Sequence, residues 1–187
     1  IEVKEKYMIV EKQDIRFLVY IDEEQVFSLK DVIYIKGDIY KIEKDLDIDV
    51  PYIKVDDTSE YQRNILVKDY GDQLSKLHII GVTGTNGKTT SCFLIYQMLL
   101  SLGIDAAYIG TIGYYCKDDY IELNNTTPDI VVVYQLLTRA QESGCKVVVM
   151  EVSSQALSYN RLFGINYSTI GFTNFTEDHL DFFGDMQ

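Results

Sequence analysis

Residues 81–90 read GVTGTNGKTT and overlap the end of the apolar run LHIIGVT at 77–83. A glycine-rich loop between a strand and a helix lets backbone N–H groups approach phosphate oxygens, and a lysine with a following hydroxyl completes the site. The usual phosphate-loop spacing places a glycine five residues before Gly87, where this chain has Val82. Because Gly84 stands three residues before Gly87 instead, the stretch predicts a nucleotide phosphate loop with a shorter spacing.

The residues after this loop predict a doubly wound, mostly parallel α/β sheet, because strand-like runs alternate with helical patterns. Strands are predicted at 77–83, 104–113, 145–152 and 168–174, helices at 88–103 and 128–144, and a hairpin around 117–119. Pro128 is predicted at the first position of the second helix. The strand and helix that flank the loop favour a phosphate site over the alternative, a glycine turn with Lys88 in solvent.

Residues 1–75 have a different pattern, with short β-prone runs separated by charged residues. The runs at 26–42 and 44–57 alternate apolar and polar positions, which is typical of half-exposed strands. Residues 58–71 show helical spacing, and Gly71 is predicted to end that helix. These features predict a small α/β domain.

Two domains are therefore expected, a small N-terminal one at 1–75 and a nucleotide-binding one at 76–187. The chain begins at Ile1 and ends at Gln187, shortly after a segment rich in aspartate and histidine. We expect it to be a fragment in which the second domain is truncated.

Composition excludes several classes of function. The formal net charge of −12 disfavours binding to nucleic acid or to an anionic membrane surface, since both require clustered lysine and arginine. The three cysteines form no CxxC pair, so neither a disulfide framework nor a zinc site is indicated, and free thiols suit a reducing cytoplasm. No apolar run approaches the ~20 residues that span a bilayer.

Acidic and polar side chains follow two of the predicted strands. Glu151 ends the buried run KVVVME, and in a doubly wound sheet ligands gather at the carboxyl ends of strands. Mg²⁺ prefers a few carboxylate oxygens, so Glu151 is a candidate ligand. The segment 172–184 holds a second group after a strand, namely Asn174, Asp178, His179 and Asp181. The neutral imidazole of His179 is a candidate ligand for a second metal or a phosphate.

Four segments together resemble the Mur ligases, the ATP-dependent amide ligases of bacterial cell-wall precursor synthesis. GVTGTNGKTT resembles their TGTNGKT[TS] loop, and the other three are NNTTPD (124–129), EVSSQAL (151–157) and FTNFTEDHLDFFG (172–184). All four occur in the family's order. Folylpolyglutamate synthases share a related loop, but NTTPD and EVSS favour the Mur ligases that add the third amino acid of the peptide stem.

The resemblance implies a role for each matched residue. ATP would bind the loop residues Gly84, Thr85, Asn86, Gly87, Lys88, Thr89 and Thr90. Mg²⁺ would bind Thr89, Glu151 and His179, and the catalytic residues would be Lys88, Glu151 and His179. The precursor would contact Asn125, Thr126, Thr127, Ser153 and Arg161, with Tyr159 and Ser28 as further candidates.

The resemblance also implies the substrates and the reaction. A carboxylate of UDP-N-acetylmuramoyl-L-Ala-D-Glu would be phosphorylated by ATP, and the amine of a free amino acid, L-lysine or meso-diaminopimelate, would attack the acyl phosphate. We expect a cytoplasmic monomer, and we expect this fragment alone to be inactive. Gln155, Tyr159 and Phe183 depart from the family pattern, and residues 1–75 lack a clear uridine-binding segment.

Two alternatives stay open on the sequence. One is another ATP-dependent amino-acid ligase of the same superfamily, similar to folylpolyglutamate synthase. The other is a non-catalytic nucleotide-binding module, which the departure at Gln155 and the unusual N-terminal domain favour slightly.

Overall fold

A computed structural model describes the backbone of residues 2–4, 7–12, 15–22, 25–26, 40–42, 52–54 and 58–176, and the side chains of residues 59–176. The chain divides into two compact units, Ile1–Lys68 and Asp69–Gln187. Several predicted site residues lie outside the described residues: Ser28, Asp178, His179 and Asp181.

The first unit contains short strands, as the alternating runs predict. The described strands are β1 (Glu2–Lys4), β2 (Tyr7–Lys12), β3 (Ile15–Asp22), β4 (Gln25–Val26), β5 (Tyr40–Ile42) and β6 (Tyr52–Lys54). The first four form an antiparallel sheet in chain order, and β5 pairs with β6 in parallel. The runs at 26–42 and 44–57 are described only where they contain these strands.

Helix α1 spans Thr58–Leu74, so the prediction that Gly71 ends it was wrong. A glycine inside a helix costs about 1 kcal/mol relative to alanine, and burial of Leu74 in the next turn offsets that cost. Tyr70 makes an edge contact with Tyr134, with the ring centroids 6.1 Å apart. Tertiary packing therefore carries the helix past its local stop signal.

The second unit is a mixed α/β sheet with helices between its strands. The strands are β7 (His78–Thr83), β8 (Ala106–Gly110), β9 (Gly113–Cys116), β10 (Asp119–Ile121), β11 (Val147–Glu151) and β12 (Thr169–Phe172). Their order across the sheet is β10-β9-β8-β11-β7-β12. The last four in this order are parallel, and β9 and β10 are antiparallel. The mostly parallel sheet is as predicted.

The helices of this unit are α2 (Lys88–Ser101), α3 (Ile130–Glu142) and α4 (Ser154–Ser158). From β7 the chain passes through α2 and over β11 to reach β8. After the β9–β10 hairpin it returns through α3 to β11, in the opposite direction across the sheet. Right-handed crossovers place helices of such opposed connections on opposite faces of the sheet. Cys92 and Tyr96 of α2 accordingly pack with Val82, Tyr108 and Val149 on one face.

Two local predictions were wrong. The run at 104–113 is not one strand, because the chain turns at Thr111–Ile112 and β9 returns antiparallel to β8. Pro128 is not the first residue of α3, since Asp129 occupies the N-cap and the helix begins at Ile130. The short helix α4 was not predicted. The hairpin at Lys117–Asp118 is confirmed by the pairing of β9 with β10.

Among the described residues, no helix has both the length and the apolar character needed to cross a lipid bilayer.

Candidate functional site

The loop between β7 and α2 is built on two glycines with positive φ. Gly84 has φ +128°, and a Cβ there would overlap with the Thr173 hydroxyl and lie 2.8 Å from the Asn174 carbonyl oxygen. Gly87 has φ +86° and caps α2, but a Cβ there would meet no described atom within 4 Å. Among the described residues, the space beside Gly87 at the helix N-terminus is therefore open, as binding of an anion there requires.

The segment that follows β12 holds this loop in place. The Thr85 N–H donates to the Asn174 carbonyl at 2.9 Å, and the Thr85 hydroxyl pairs with the backbone of Thr176. The Asn86 N–H donates to Asn174 Oδ1 at 3.0 Å, while Asn174 Nδ2 donates to the Asn86 carbonyl at 2.9 Å. Thr173 Oγ1 donates to the Asn86 carbonyl at 2.7 Å. The loop conformation thus depends on residues almost ninety positions later in the chain.

Lys88 is half-buried at the first position of α2. Its ammonium group donates to the carbonyls of Gly84 at 2.7 Å and Thr85 at 3.0 Å. These neutral acceptors hold the side chain over the loop without neutralising its charge. Among the described residues Lys88 forms no ion pair, so its charge is available to a phosphate group at the loop.

Glu151 lies at the carboxyl end of β11, between β8 and β7, and its side chain is fully buried. Its Oε2 accepts a hydrogen bond from the Thr89 hydroxyl at 2.8 Å. This contact brings together two residues predicted as ligands of one metal ion, from sequence positions 62 residues apart. No described side chain forms an ion pair with Glu151, so its negative charge is held by hydrogen bonds alone.

Two residues that the sequence analysis missed complete the surroundings of Glu151. Tyr108 donates its hydroxyl to Oε1 at 2.5 Å, and the Thr111 N–H donates to the same oxygen at 2.9 Å. The Thr111 hydroxyl also lies 3.2 Å from Oε2. Burial, and then the bond to Glu151, raise the pKa of the Tyr108 hydroxyl above its ordinary value. Tyr108 therefore stays protonated and remains a donor.

The predicted precursor-binding residues form a connected group next to Glu151. The Thr126 and Thr111 hydroxyls are 3.0 Å apart. Thr127 is buried, and its hydroxyl donates to the Glu151 carbonyl at 2.9 Å and accepts from the Ser153 N–H at 3.0 Å. Thr127 thus fixes the end of β11, and contact between its side chain and a substrate stays a prediction.

Arg161 joins this group from the loop after α4. Its guanidinium donates to the Thr127 carbonyl at 3.1 Å, forms an ion pair with Asp129 at 3.1 Å, and lies 5.4 Å from the centre of the Tyr159 ring. Ser153 caps α4 by accepting from the Ala156 N–H at 3.2 Å. Asn125 is exposed. The structure therefore gathers all the described candidates for precursor contacts around one edge of the sheet.

The donor set around Glu151 suits Mg²⁺. It offers one carboxylate and the hydroxyls of Thr89 and Thr111, and hard divalent cations prefer such oxygen ligands. A fully buried carboxylate without a cationic partner is costly, and a divalent ion at Oε2 would supply the missing charge. Among the described residues no group of three or more His, Cys, Asp and Glu side chains could hold a metal. Mg²⁺ in nucleotide sites commonly takes phosphate oxygens and water as further ligands.

The chain was compared with known proteins. Residues 82–187 match the Mur ligase middle domain. The chain is similar to UDP-N-acetylmuramoyl-L-alanyl-D-glutamate–2,6-diaminopimelate ligase of Phocaeicola vulgatus, with 42% identity over 133 residues that cover 71% of this chain and 28% of that ligase. For the ligase of the same name from Chlorobium phaeobacteroides, identity is 43% over 141 residues, covering 75% of this chain and 28% of the relative.

A solved structure of a ligase with this same name is also similar. It superposes with a TM-score of 0.58 and 29% sequence identity, and the match covers 75% of this chain and 28% of that protein. The chain thus spans somewhat more than a quarter of the length of the proteins it matches. The match in sequence and the match in fold lead to the same group of ligases.

Proposed function

The chain belongs to the Mur ligase family, and on that premise we propose that it supplies ATP-binding and precursor-binding residues of an ATP-dependent amide ligase in peptidoglycan precursor synthesis. One observation carries the proposal, the hydrogen bond of 2.8 Å between the Thr89 hydroxyl and Glu151 Oε2. It joins the start of α2 to the end of β11. A hydroxyl and a carboxylate placed so, beside an open helix N-terminus, are the groups that bind a magnesium nucleotide.

In this proposal the loop residues bind the phosphates of ATP. The N-terminal N–H groups of α2 and the Gly87 N–H face the phosphate oxygens, with the helix dipole favouring negative charge there. In the structure the Lys88 ammonium donates to the carbonyls of Gly84 and Thr85. When ATP binds, it donates to the phosphates instead. Its charge then offsets the charge that develops on the transferred group.

Thr89 and Glu151 are the proposed ligands of a magnesium ion, and His179 is proposed for a second one. Bound there, Mg²⁺ would neutralise charge on the phosphate oxygens. Tyr108 and Thr111 orient the carboxylate, and burial keeps bulk water from competing for it. His179 lies outside the described residues, so its role rests on the family resemblance.

The proposed reaction activates a carboxylate. An oxygen of the D-glutamyl carboxylate of UDP-N-acetylmuramoyl-L-Ala-D-Glu attacks the γ-phosphorus of ATP, and ADP leaves. The amine of a free amino acid attacks the acyl phosphate, and the carbon–oxygen bond breaks to release phosphate and the amide. Because the similar proteins are named 2,6-diaminopimelate ligases, diaminopimelate is the proposed amino acid, ahead of L-lysine.

The edge formed by Asn125, Thr126, Ser153 and Arg161 is the proposed contact for the precursor. The hydroxyl chain from Thr126 through Thr111 reaches Glu151 Oε2. A precursor bound at this edge would therefore have its carboxylate near the proposed metal site, as transfer from ATP requires. A cytoplasmic location and a monomeric state remain predictions, as does the inactivity of the 187-residue chain alone.

The test measures phosphate release by the complete protein that contains this sequence, with ATP, the UDP-linked dipeptide precursor, and either diaminopimelate or L-lysine. We expect release that requires both other substrates and is faster with diaminopimelate. Lys88→Ala should lower kcat/KM by about a hundredfold or more, since one charge-stabilising donor commonly contributes that much. Lys76→Ala, at an exposed lysine before β7, is the matched control.

Three outcomes would argue against the proposal. Phosphate release with a folate and glutamate, in place of the muramoyl precursor, would indicate the superfamily alternative. Binding of Mg²⁺·ATP without release under any of these conditions would indicate a non-catalytic module. Unchanged kcat/KM in Lys88→Ala would contradict the assignment of the loop.

A further inference from the structure

Beyond the ligands themselves, the two oxygens of the Glu151 carboxylate have different surroundings. Oε1 accepts from Tyr108 at 2.5 Å and from the Thr111 N–H at 2.9 Å. Oε2 accepts from the hydroxyls of Thr89 at 2.8 Å and Thr111 at 3.2 Å. One oxygen is thus held by the sheet, and the other lies against Thr89, the second residue of α2.

We propose that Tyr108 is a positioning residue, which holds Oε1 so that Oε2 remains available to a magnesium ion beside Thr89. This inference rests on the proposed function, because it concerns the metal site of that reaction. Carboxylates that bind metals are commonly oriented by a hydrogen-bond donor on the other oxygen, and removal of such a donor weakens metal binding.

The position of Tyr108 makes its hydroxyl a fixed donor. Its side chain is fully buried in β8, and its ring contacts Phe93 with centroids 5.6 Å apart, and Tyr115 with centroids 6.0 Å apart. β8 pairs directly with β11, with Tyr108 opposite Val149, two residues before Glu151. The ring therefore cannot swing away from the carboxylate without disturbing both the sheet and the aromatic contacts.

Gly110 supplies the space for this arrangement. A Cβ at Gly110 would overlap with both Glu151 Oε1 and the Tyr108 hydroxyl. The Tyr108 hydroxyl, the space at Gly110 and the Thr111 N–H therefore all lie next to the same carboxylate oxygen, Glu151 Oε1. Such an arrangement goes beyond what packing of a tyrosine requires, since the hydroxyl and the gap contribute no apolar burial.

The experiment measures the Mg²⁺ concentration that half-activates phosphate release by the complete protein, together with binding of Mn²⁺ in the presence of ADP by electron paramagnetic resonance. Tyr108→Phe keeps the ring and removes the hydroxyl. We expect a rise of about tenfold in the Mg²⁺ activation constant and a comparable loss of Mn²⁺ affinity. The KM for the amino acid should not change, because that substrate does not contact Tyr108 in the proposal.

Tyr115→Phe is the matched control, because it removes a hydroxyl from the same aromatic group without touching Glu151, and it should leave both constants unchanged. Gly110→Ala crowds both Glu151 Oε1 and the Tyr108 hydroxyl and should shift both constants in the direction of Tyr108→Phe. With these two variants, the proposal can still be tested if one of them folds poorly.

A Tyr108→Phe protein with both constants within twofold of the unaltered protein would overturn the role of Tyr108. Glu151→Gln separates this failure from a failure of the proposed function. If Glu151→Gln abolishes Mn²⁺ binding while Tyr108→Phe does not affect it, only the positioning role is wrong. If Glu151→Gln also binds Mn²⁺ normally, the proposed metal site is wrong.

Discussion

The two halves of the candidate site are constructed in different ways. The loop at 84–87 is shaped by glycine backbone and held by hydrogen bonds from residues 173–176 to its backbone and to the Thr85 hydroxyl. Glu151 is held by side-chain hydroxyls and one backbone N–H, within a fully buried pocket of the sheet. Substitutions in the loop should therefore change its backbone conformation, whereas substitutions around Glu151 should remove hydrogen-bond donors to its carboxylate.

Gly84→Ala should have the largest effect on the loop. The residue would take a left-handed φ, which costs about 1–2 kcal/mol, and its Cβ would overlap with Thr173 and crowd Asn174, which adds about 1–3 kcal/mol. We expect the free energy of unfolding to fall by about 3 kcal/mol, measured by urea unfolding of the complete protein. A loss below about 1 kcal/mol would show that the close contact with residues 173–174 does not form.

Asn174→Ala should have the next largest effect, because its side chain both accepts from and donates to the backbone of Asn86. Each such bond contributes about 0.5–1.5 kcal/mol, so we expect a loss of about 2 kcal/mol and weaker ATP binding by calorimetry. Asn166→Ala, at an exposed asparagine before β12, is the control. Equal stability of the two variants would refute a holding role for Asn174.

Gly87→Ala should have a smaller effect than Gly84→Ala. Its φ of +86° makes a side chain unfavourable, but a Cβ there has open space around it. Only the conformational cost of about 1–2 kcal/mol applies, again measured by urea unfolding. If Gly87→Ala destabilised as much as Gly84→Ala, crowding would not distinguish the two glycines.

The buried thiols Cys92, Cys116 and Cys145 should have the smallest effect, because their ionisation does not affect stability at neutral pH. Burial, and to a lesser extent the nearby charge of Glu151, raise the pKa of Cys92 from its ordinary 9.0 to about 12. Burial likewise raises the pKa of Cys145 to about 12. The Cys145 sulfur lies 3.2 Å from the Cys116 sulfur. Since protonated, buried thiols are poor nucleophiles, a disulfide reagent at pH 8 should label these cysteines only after unfolding.

The same shifts predict how stability depends on pH. At pH values well below about 9 the thiols are protonated in both the folded and the unfolded chain, so their ionisation does not affect the free energy of unfolding. As the pH rises from about 9 to about 12, the unfolded chain loses thiol protons that Cys92 and Cys145 retain when folded. Stability should therefore fall over this range, and a Cys92→Ala, Cys145→Ala protein should lose less of it, measured by urea unfolding at several pH values.

The sequence marks the candidate site residues themselves more clearly than the residues that surround them. The glycines, Lys88 and Thr89 form a contiguous motif, and Glu151 stands at the end of an obvious buried strand. Tyr108 gave no comparable signal, because its link to Glu151 arises from the pairing of β8 with β11. Such pairings between distant strands cannot be deduced from local periodicity.

The errors in the fold have related causes. Gly71 was taken as a helix end, yet burial of Leu74 carries α1 further. The run at 104–113 contains the turn that brings Thr111 to Glu151, and its strand-like composition concealed that turn. Local patterns therefore indicated the type and order of most elements of the second unit, whereas long-range contacts decided where they stop and which side chains meet.

Isotope transfer would show whether this site transfers a phosphoryl group from ATP to a carboxylate. The complete protein would be supplied with ATP, diaminopimelate and UDP-N-acetylmuramoyl-L-Ala-D-Glu carrying ¹⁸O in the D-glutamyl carboxylates. We expect each released phosphate to carry one ¹⁸O atom, while the amide keeps the other oxygen of that carboxylate. Phosphate free of ¹⁸O, formed together with the amide, would show that no acyl phosphate forms.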